Sequence, residues 1–399
     1  MEAGTPGCIR MQIYLDHSAT TPPRAEAIAK MQAVLTRQWG NPASPHAWGE
    51  RAATELELAR WQVAALLNAE APETIAFTSG GTEADNLALV GVARQYRQPQ
   101  HTIISSVEHP AVTRAAELLE RWGWQVTRLP VDGSGRVAPA DLESALQSNT
   151  VLVSVIYGQS EVGTLQPIAA LGRIARQQGA LFHTDAVQAA GRLPLDVQQL
   201  PVDLLSLSSH KLYGPQGAGA LYVRPGVTLA PLLEGGAQES GLRSGTPPLP
   251  AIAGLGEAAR LAAAECESEG PRLAALRDRL FERLAERPEL SPTGHRQARL
   301  PHHASFCLRR EVAPLSGQDL VRQLNLAGIA ISAGSACSSG KLEPSPTLLA
   351  MGYAETAALQ GIRLSLGRAT VAADVDWTAT VLGQALERAR HRSSLVAAP

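Results

Sequence analysis

The chain has 399 residues, a formal net charge of −2 and a pI of about 6.6. This length suffices for one large domain and a smaller one, and the balanced charge predicts no basic surface for nucleic acid or an anionic membrane. The apolar runs are far shorter than the roughly 20 residues that span a bilayer, and residues 1–10 lack the features of a signal peptide. We therefore expect a cytoplasmic protein without a membrane segment.

Short apolar runs alternate with helical patterns between about residues 50 and 225. The predicted helices cover 50–67, 83–96, 112–122 and a stretch around 168–174. The predicted strands cover 74–77, 102–106, 126–130, 151–157, 180–185, 204–208 and 219–223. Strands of this length separated by helices favour an α/β fold in which a mostly parallel, seven-stranded sheet is covered on both faces.

The pattern changes after residue 225. The glycine- and proline-rich stretch 235–250 predicts irregular structure. A long helix follows, with leucines at positions 273, 276, 280 and 284 and a break or bend at Gly270-Pro271. A strand at 304–308, a helix near 319–327, a small-residue loop at 332–340 and a strand at 362–366 predict a second, smaller α/β unit, with a weakly ordered tail after about 392.

Lys211 and Asp185 follow two successive apolar strands. Because the carboxyl ends of parallel strands lie at the same edge of a sheet, we expect the two side chains to lie close together. A lysine can form a Schiff base with pyridoxal phosphate, and a carboxylate can pair with the ring nitrogen. Taken alone, a lysine after a strand is usually a solvated surface residue.

Three further features suit the same chemistry, each with an ordinary alternative. The turn 79–83 precedes a helix and can bind an anion, or it is a tight turn with Thr82 as the N-cap. His109 follows a strand and can stack on a ring or move a proton, or it caps or packs. Arg363 or Arg368 can clamp a carboxylate, or both are surface arginines.

The four cysteines, Cys8, Cys266, Cys307 and Cys337, are too scattered for a disulfide framework and show no metal-ligand spacing, so we expect reduced thiols and no metal site. Cys337 lies in SAGSACSSG (332–340), whose small residues predict an exposed, mobile loop and a reactive thiol. The other three cysteines are expected to pack or to play no role.

Nine segments in order resemble the cysteine desulfurases of the NifS/IscS type, in the class V aminotransferase group of fold-type-I pyridoxal phosphate enzymes. They are YLDHSATTP (14–22), NPASPH (41–46), TSGGTEADNLAL (78–89), EHPAV (108–112), HTDAVQ (183–188), SSHKLYGPQGAGALYV (208–223), RSGTPP (243–248), SAGSACSSG (332–340) and IRLSLGR (362–368). The resemblance implies a large cofactor-binding domain at 17–262. It implies a small domain formed by 1–16 and 263–399, which carries the cysteine loop.

The resemblance implies pyridoxal 5′-phosphate as the cofactor, with Lys211 as the Schiff-base lysine and Asp185 at the pyridine nitrogen. Gln188 would reach the phenolic oxygen, and His109 would stack on the ring and act in catalysis. The remaining cofactor residues would be Gly81, Thr82, Ser160, Ser208, His210 and, from the neighbouring subunit of a homodimer, Thr246.

The reaction that the resemblance implies converts L-cysteine to L-alanine. Arg363 would bind the substrate carboxylate, and Cys337 would be the catalytic thiol that carries the sulfur as a persulfide. The loop at 332–340 resembles the long-loop group of the family. A sulfur-acceptor protein is therefore the expected partner, in iron–sulfur cluster assembly or tRNA thiolation, with no direct contact to nucleic acid.

The chain departs from the family pattern after the strand at 151–157. Gln159-Ser160 stands where the family usually carries two asparagines, the second of which contacts cofactor or substrate. The change affects the local hydrogen bonds and not the reaction class. Two alternatives stay open: a class V C–S lyase or aminotransferase, which does not need Cys337, and a weakly catalytic homologue that binds the cofactor as a scaffold.

Overall fold

The computed structural model describes residues 12–312, 315–334, 337–338 and 341–396, without the side chains of 337–338, 341–342 and 392–396. The helices are α1 (Ala25–Arg37), α2 (Ala47–Leu66), α3 (Gly81–Ala93), α4 (Pro110–Arg121), α5 (Pro139–Ala145), α6 (Ile168–Gln177), α7 (Leu249–Leu284), α8 (Gly317–Leu326), α9 (Pro346–Ala350), α10 (Glu355–Ala358) and α11 (Ala372–Val396). The strands are β1 (Ile13–Tyr14), β2 (Ile75–Thr78), β3 (His101–Ser105), β4 (Gln125–Leu129), β5 (Thr150–Ser154), β6 (Leu181–Asp185), β7 (Leu204–Ser208), β8 (Gly219–Val223), β9 (Leu290–Pro292), β10 (His303–Leu308), β11 (Ile329–Ala330), β12 (Ser332–Ala333), β13 (Cys337–Ser338), β14 (Lys341–Leu342) and β15 (Gly361–Ser365).

Seven strands form the larger sheet, in the order β2-β8-β7-β6-β5-β3-β4. Strand β8 pairs antiparallel with both of its neighbours, and the other pairs are parallel. The predicted mostly parallel, seven-stranded α/β sheet is therefore confirmed. Its parallel strands direct their carboxyl ends to one edge, where loops can bring polar side chains together.

Helices cover both faces of this sheet, because successive residues of each buried strand point to opposite sides. Ile103 and Val153 belong to a core with α2, α6 and α7, whereas Ile104 and Leu152 pack in a second core with α3 and α4. Helix α7 approaches α2 closely at Gly256, where a Cβ atom would lie 2.7 Å from the Cβ of Ala59.

A smaller antiparallel sheet has the order β12-β15-β10-β9. It packs with α8, α11 and the second half of α7 around a separate core that includes Leu280, Phe306 and Leu364. Strand β1 pairs with β11, and both Ile13 and Leu15 belong to that core. The domain boundary at 262/263 stays a prediction, and α7 runs continuously across it.

Several local predictions were wrong. Helix α3 begins at Gly81 and not at 83, and α7 continues through Pro271 instead of breaking there. The small-residue loop contains two short strands: β12, which pairs with β15, and β13, which pairs with β14 just after the loop. Ser335, Ala336, Ser339 and Gly340 lie outside the described residues. Helix α11 extends to Val396, beyond the start of the predicted tail. Helices α1, α5 and α11 had no counterpart in the sequence analysis.

None of the described helices combines the length and the apolar composition that crossing a bilayer requires.

Candidate active site

A cavity of about 330 Å³ opens at the edge of the larger sheet where the parallel strands end. Its lining residues are Ser18, Ala19, Gly81, Thr82, Asp85, His109, Ile156, Ser160, Asp185, Val187, Gln188, Ser208, His210, Lys211 and Arg363. The structure thus brings together nine of the ten predicted cofactor residues, as well as Arg363. The tenth, Thr246, is exposed and is not among the lining residues.

Lys211 follows β7 in a single 3₁₀ turn that places its amine inside the cavity. Its Nζ donates hydrogen bonds to the backbone oxygens of Ser18 and Ala19, each at 2.6 Å. Burial, together with the positive charge of Arg363, lowers the pKa of Lys211 to about 8, against the opposing effect of Asp16 and Asp185. The amine is therefore neutral far more often than that of a solvated lysine, which suits a nucleophile or a proton carrier.

Asp185 is the last residue of β6 and is only 4% exposed. Its Oδ1 accepts a hydrogen bond from the backbone N–H of Val187 at 2.9 Å. Burial raises the pKa of the carboxyl, while His109 and Lys211 act in the opposite direction. Asp185 is thus a buried acceptor that a cationic group in the cavity would stabilise.

His109 lies at the mouth of the cavity and also caps α4. Its Nδ1 accepts a hydrogen bond from the backbone N–H of Ala111 at 3.2 Å, which satisfies one of the free donors at the helix start. His109 therefore caps the helix and also lines the cavity, so the two alternatives for this residue do not exclude each other. Burial lowers the pKa of His109, so the imidazole is largely neutral at pH 7.

The amino end of α3 forms one wall of the cavity. Gly80 is its N-cap, and no side chain of the described residues caps it, so Thr82 is not the cap that the alternative required. A Cβ atom at Gly81 would lie 2.8 Å from Cγ2 of Val187, so a larger residue would require Val187 to shift. The helix dipole and the free N–H groups favour an anion here, next to Ser208 and His210.

Ser18 connects several parts of the site through its backbone. Its carbonyl oxygen accepts from Lys211 and, at 2.9 Å, from Nε2 of Gln188. Its N–H donates to Oγ of Ser365 at 2.8 Å. The segment YLDHSATTP thus holds the amine of Lys211, a role that the sequence analysis missed because no side-chain pattern marks a carbonyl ligand.

Arg363, on β15, faces the cavity from the smaller sheet. Its Nη2 donates to Oδ1 of Asp16 at 2.7 Å, and its Nη1 donates to the backbone oxygen of Ser160 at 3.1 Å. Within the described part of the chain, its buried Nε has no hydrogen-bond partner. The guanidinium is thus fixed by two contacts, and each Nη has a second N–H that can donate to a carboxylate in the cavity. Arg368 instead pairs with Glu265, at 3.2 Å, and does not line the cavity.

Asp85 lines the cavity and was missed by the sequence analysis, because a single acid within a helix resembles an ordinary surface residue. It is 1% exposed, and its carboxyl lies with the donor atoms of His109 and Asp185 in a group whose atoms are all within 4.8 Å of one another. Burial raises the pKa of both acids. This works against a metal ion, whose ligands must be deprotonated.

The cysteine predictions have different outcomes. The backbone of Cys337 pairs with Leu342 in the β13–β14 ladder, but its side chain lies outside the described residues. Cys8 also lies outside them. Cys266 and Cys307 are free and buried, and burial raises the pKa of both thiols, that of Cys307 to about 11. A thiol with a raised pKa is a weak nucleophile, so neither suits catalysis.

Comparison with known proteins gives a consistent picture. Residues 13–377 match the family model described as aminotransferase class-V. A curated relative named cysteine desulfurase IscS, from Methanosarcina thermophila, is 44% identical over 96% of this chain and 94% of its own length. A solved structure titled NifS-like protein superimposes with a TM-score of 0.87 at 33% identity, covering 94% of this chain and all of that one. Another, titled SspA in complex with cysteine, has a TM-score of 0.79 at 34% identity, covering 90% and 100%.

The lowered pKa of Lys211 leads to a direct prediction. The chain has only three lysines, Lys30, Lys211 and Lys341, so reductive methylation with ¹³C-formaldehyde gives few NMR signals to assign. In cofactor-free protein we expect the Lys211 signal to titrate near pH 8, because burial and Arg363 disfavour the ammonium form. Lys211→Arg identifies the signal by its disappearance. A midpoint near the ordinary value of 10.5 would contradict the described environment.

Proposed function

The chain belongs to the class-V aminotransferase family and is a cysteine desulfurase of the NifS/IscS type, and we propose that it holds pyridoxal 5′-phosphate around Lys211 and takes sulfur from L-cysteine on Cys337. The observation that carries the proposal is the position of Lys211 and Asp185 in one cavity with an uncapped helix end. Few other cofactors need an amine, a buried carboxylate and an anion site together.

The donor set of the cavity fits this cofactor. The amino end of α3 with Thr82, Ser208 and His210 offers neutral and dipolar donors for a phosphate. Asp185 would pair with the ring nitrogen, Gln188 would approach the phenolic oxygen and His109 would stack on the ring. Ser160, which also lines the cavity, would complete the set of cofactor contacts. Pyridoxal phosphate, when bound, supplies an aldehyde for amines and a ring that accepts electrons.

The residues of the chain then have separate tasks. With its lowered pKa, the Lys211 amine can accept a proton at Nζ and return it near neutral pH. Arg363 orients the substrate by its carboxylate, because Asp16 and Ser160 fix the guanidinium. The Cys337 thiolate attacks the sulfur of cysteine, so that an S–S bond forms as the C–S bond breaks. The products are alanine and a Cys337 persulfide, with no external oxidant required.

Three further parts belong to the proposal. A homodimer is supported by the exposed position of Thr246, which would reach the cavity of the partner. A sulfur-acceptor protein would take the persulfide sulfur by thiol exchange, in iron–sulfur assembly or tRNA thiolation. A cytoplasmic location is part of the proposal, and the absence of a disulfide between the described cysteines Cys266 and Cys307 agrees with it.

The role of Cys337 can be tested by substitution and mass spectrometry. We expect Cys337→Ser to lower alanine formation from L-cysteine by on the order of 1,000-fold, because the attacking thiol is lost. Wild-type protein treated with cysteine should gain the mass of one sulfur atom on the peptide that contains Cys337. Cys266→Ser is the matched control and should retain turnover. Alanine formation at the wild-type rate in Cys337→Ser would refute the persulfide role.

The position of Thr246 can be tested by mixing two inactive variants. Lys211→Ala removes the amine, and Thr246→Asp places a negative charge against the phosphate. If Thr246 serves the partner's site, each heterodimer regains one intact site, and a statistical mixture recovers about a quarter of wild-type activity. If Thr246 serves the site of its own chain, the mixture stays inactive. Size-exclusion chromatography with light scattering should give twice the chain mass of 42.1 kDa.

A further inference from the structure

The turn between β5 and α6 contains Gln159, whose side chain is almost fully buried. Its Oε1 accepts hydrogen bonds from the backbone N–H groups of Glu161 and Val162, at 2.5 and 2.9 Å. Its Nε2 donates to Oγ1 of Thr347 at 2.9 Å and, more weakly, to the backbone oxygen of Val107 at 3.4 Å. All four hydrogen-bonding positions of the amide are used, so one rotamer is fixed.

These bonds join two segments that are distant in sequence. Val107 lies two residues before His109, at the mouth of the cavity. Thr347 lies in the first turn of α9, which begins four residues after Leu342, the backbone partner of Cys337. The amide therefore links the His109 side of the cavity to the end of the segment that carries Cys337.

Glu161, from the same turn, contacts the beginning of that segment. The Cα of Gly334 lies against its carboxyl, so closely that a Cβ atom there would overlap Oε1. Gly334 itself donates to the backbone oxygen of Gly361 at 2.8 Å. Burial raises the pKa of Glu161 to about 7, opposed by Ser345, Arg363 and Thr347. The turn thus contacts the chain on both sides of Cys337, at Gly334 through Glu161 and at Thr347 through Gln159. Ser160, which lies between Gln159 and Glu161, lines the cavity.

We propose that Gln159 is a positioning residue for sulfur transfer, which fixes α9, the helix that follows Cys337 in the chain, relative to the cavity through its bond to Thr347. This inference rests on the proposed function, since it assumes that Cys337 receives the sulfur. A misplacement of about 1 Å at a reacting centre can slow a reaction by about 100-fold. Loss of this bond should therefore slow sulfur transfer more than substrate binding.

The test uses the complete enzyme loaded with pyridoxal phosphate. Gln159→Leu removes the amide at similar volume, and Thr347→Val removes its acceptor together with the hydrogen bond of the Thr347 side chain to the Glu161 carboxyl. The persulfide on Cys337 is measured by intact mass after rapid quenching at saturating cysteine. Substrate binding is followed separately by the cofactor absorbance change on adding cysteine. We expect persulfide formation to slow by about 10- to 100-fold in both variants, with substrate affinity within about 3-fold of wild type.

Gln166→Leu is the matched control. Gln166 is also 3% exposed, and it accepts from the N–H of Val137 at 2.9 Å and donates to the carbonyl of Gly135 at 2.6 Å, but it does not line the cavity. Its loss should lower the urea midpoint as Gln159→Leu does and leave the rate of persulfide formation within about 2-fold. Equal slowing in Gln166→Leu would show a general stability effect and overturn the proposal.

The double variant Gln159→Leu/Thr347→Val gives a second criterion. If one hydrogen bond is responsible, the double variant should be no slower than Gln159→Leu alone. Independent, multiplying effects would overturn the proposal, as would a wild-type rate in Gln159→Leu. If wild-type protein forms no persulfide on Cys337, the proposed function fails. If wild type forms it and Gln159→Leu matches its rate, only this inference fails.

Discussion

The active site depends on the segment at residues 13–24, which lies between the two sheets and bonds to both. On one side, the Ser18 carbonyl accepts a hydrogen bond from the amine of Lys211. The hydroxyl of Thr21 donates to the backbone oxygen of His210 and accepts from the backbone N–H of Tyr213, both in the turn after β7. On the other side, the backbone N–H of Ser365 donates to the Leu15 carbonyl at 2.7 Å. Because one short segment binds both sheets, the position of Arg363 relative to Lys211 follows from these bonds.

The two sheets contribute different residues to the site. The larger sheet ends its parallel strands at one edge and so collects His109, Asp185 and Lys211. The smaller, antiparallel sheet supplies Arg363, and Cys337 lies in the separate β13–β14 pair, which follows β12 of that sheet in the chain. The groups assigned to the cofactor and the groups assigned to substrate and sulfur therefore lie on different sheets. The turn at Gln159 is one of the places where the two parts of the site are hydrogen-bonded to each other, through Thr347.

The sequence predicted the strands well where apolar runs end sharply. Strands 204–208 and 219–223 agree with β7 and β8 to the residue, since polar or irregular stretches bound both. The run at 151–157 was too long: the backbone of Tyr157 still bonds to β6, at 2.9 Å, but regular pairing ends at Ser154. Helix α11 was missed although its buried residues, among them Val375, Leu382 and Leu386, recur at helical spacing.

The site residues were predictable for a related reason: most of them follow strands whose ends share one edge. What the sequence does not reveal is the environment of each group. Backbone carbonyls leave no trace in a sequence, so the contacts of Lys211 with Ser18 and Ala19 were not foreseen. The consequence of Gln159 was likewise hidden, because its partners at Val107 and Thr347 are 52 and 188 residues away.

The buried acids under the cavity show how environment assigns a role. Burial raises the pKa of Asp85, Glu108 and Asp185, and that of Glu108 reaches about 8. The pKa of the neighbouring His183 falls to about 3, so this imidazole is neutral and offers no positive charge. Of the three, only Asp185 has the positive charge of Lys211 beside it to stabilise the anion. Of the three carboxyls, Asp185 is therefore the one that most readily carries the negative charge that a protonated ring nitrogen requires.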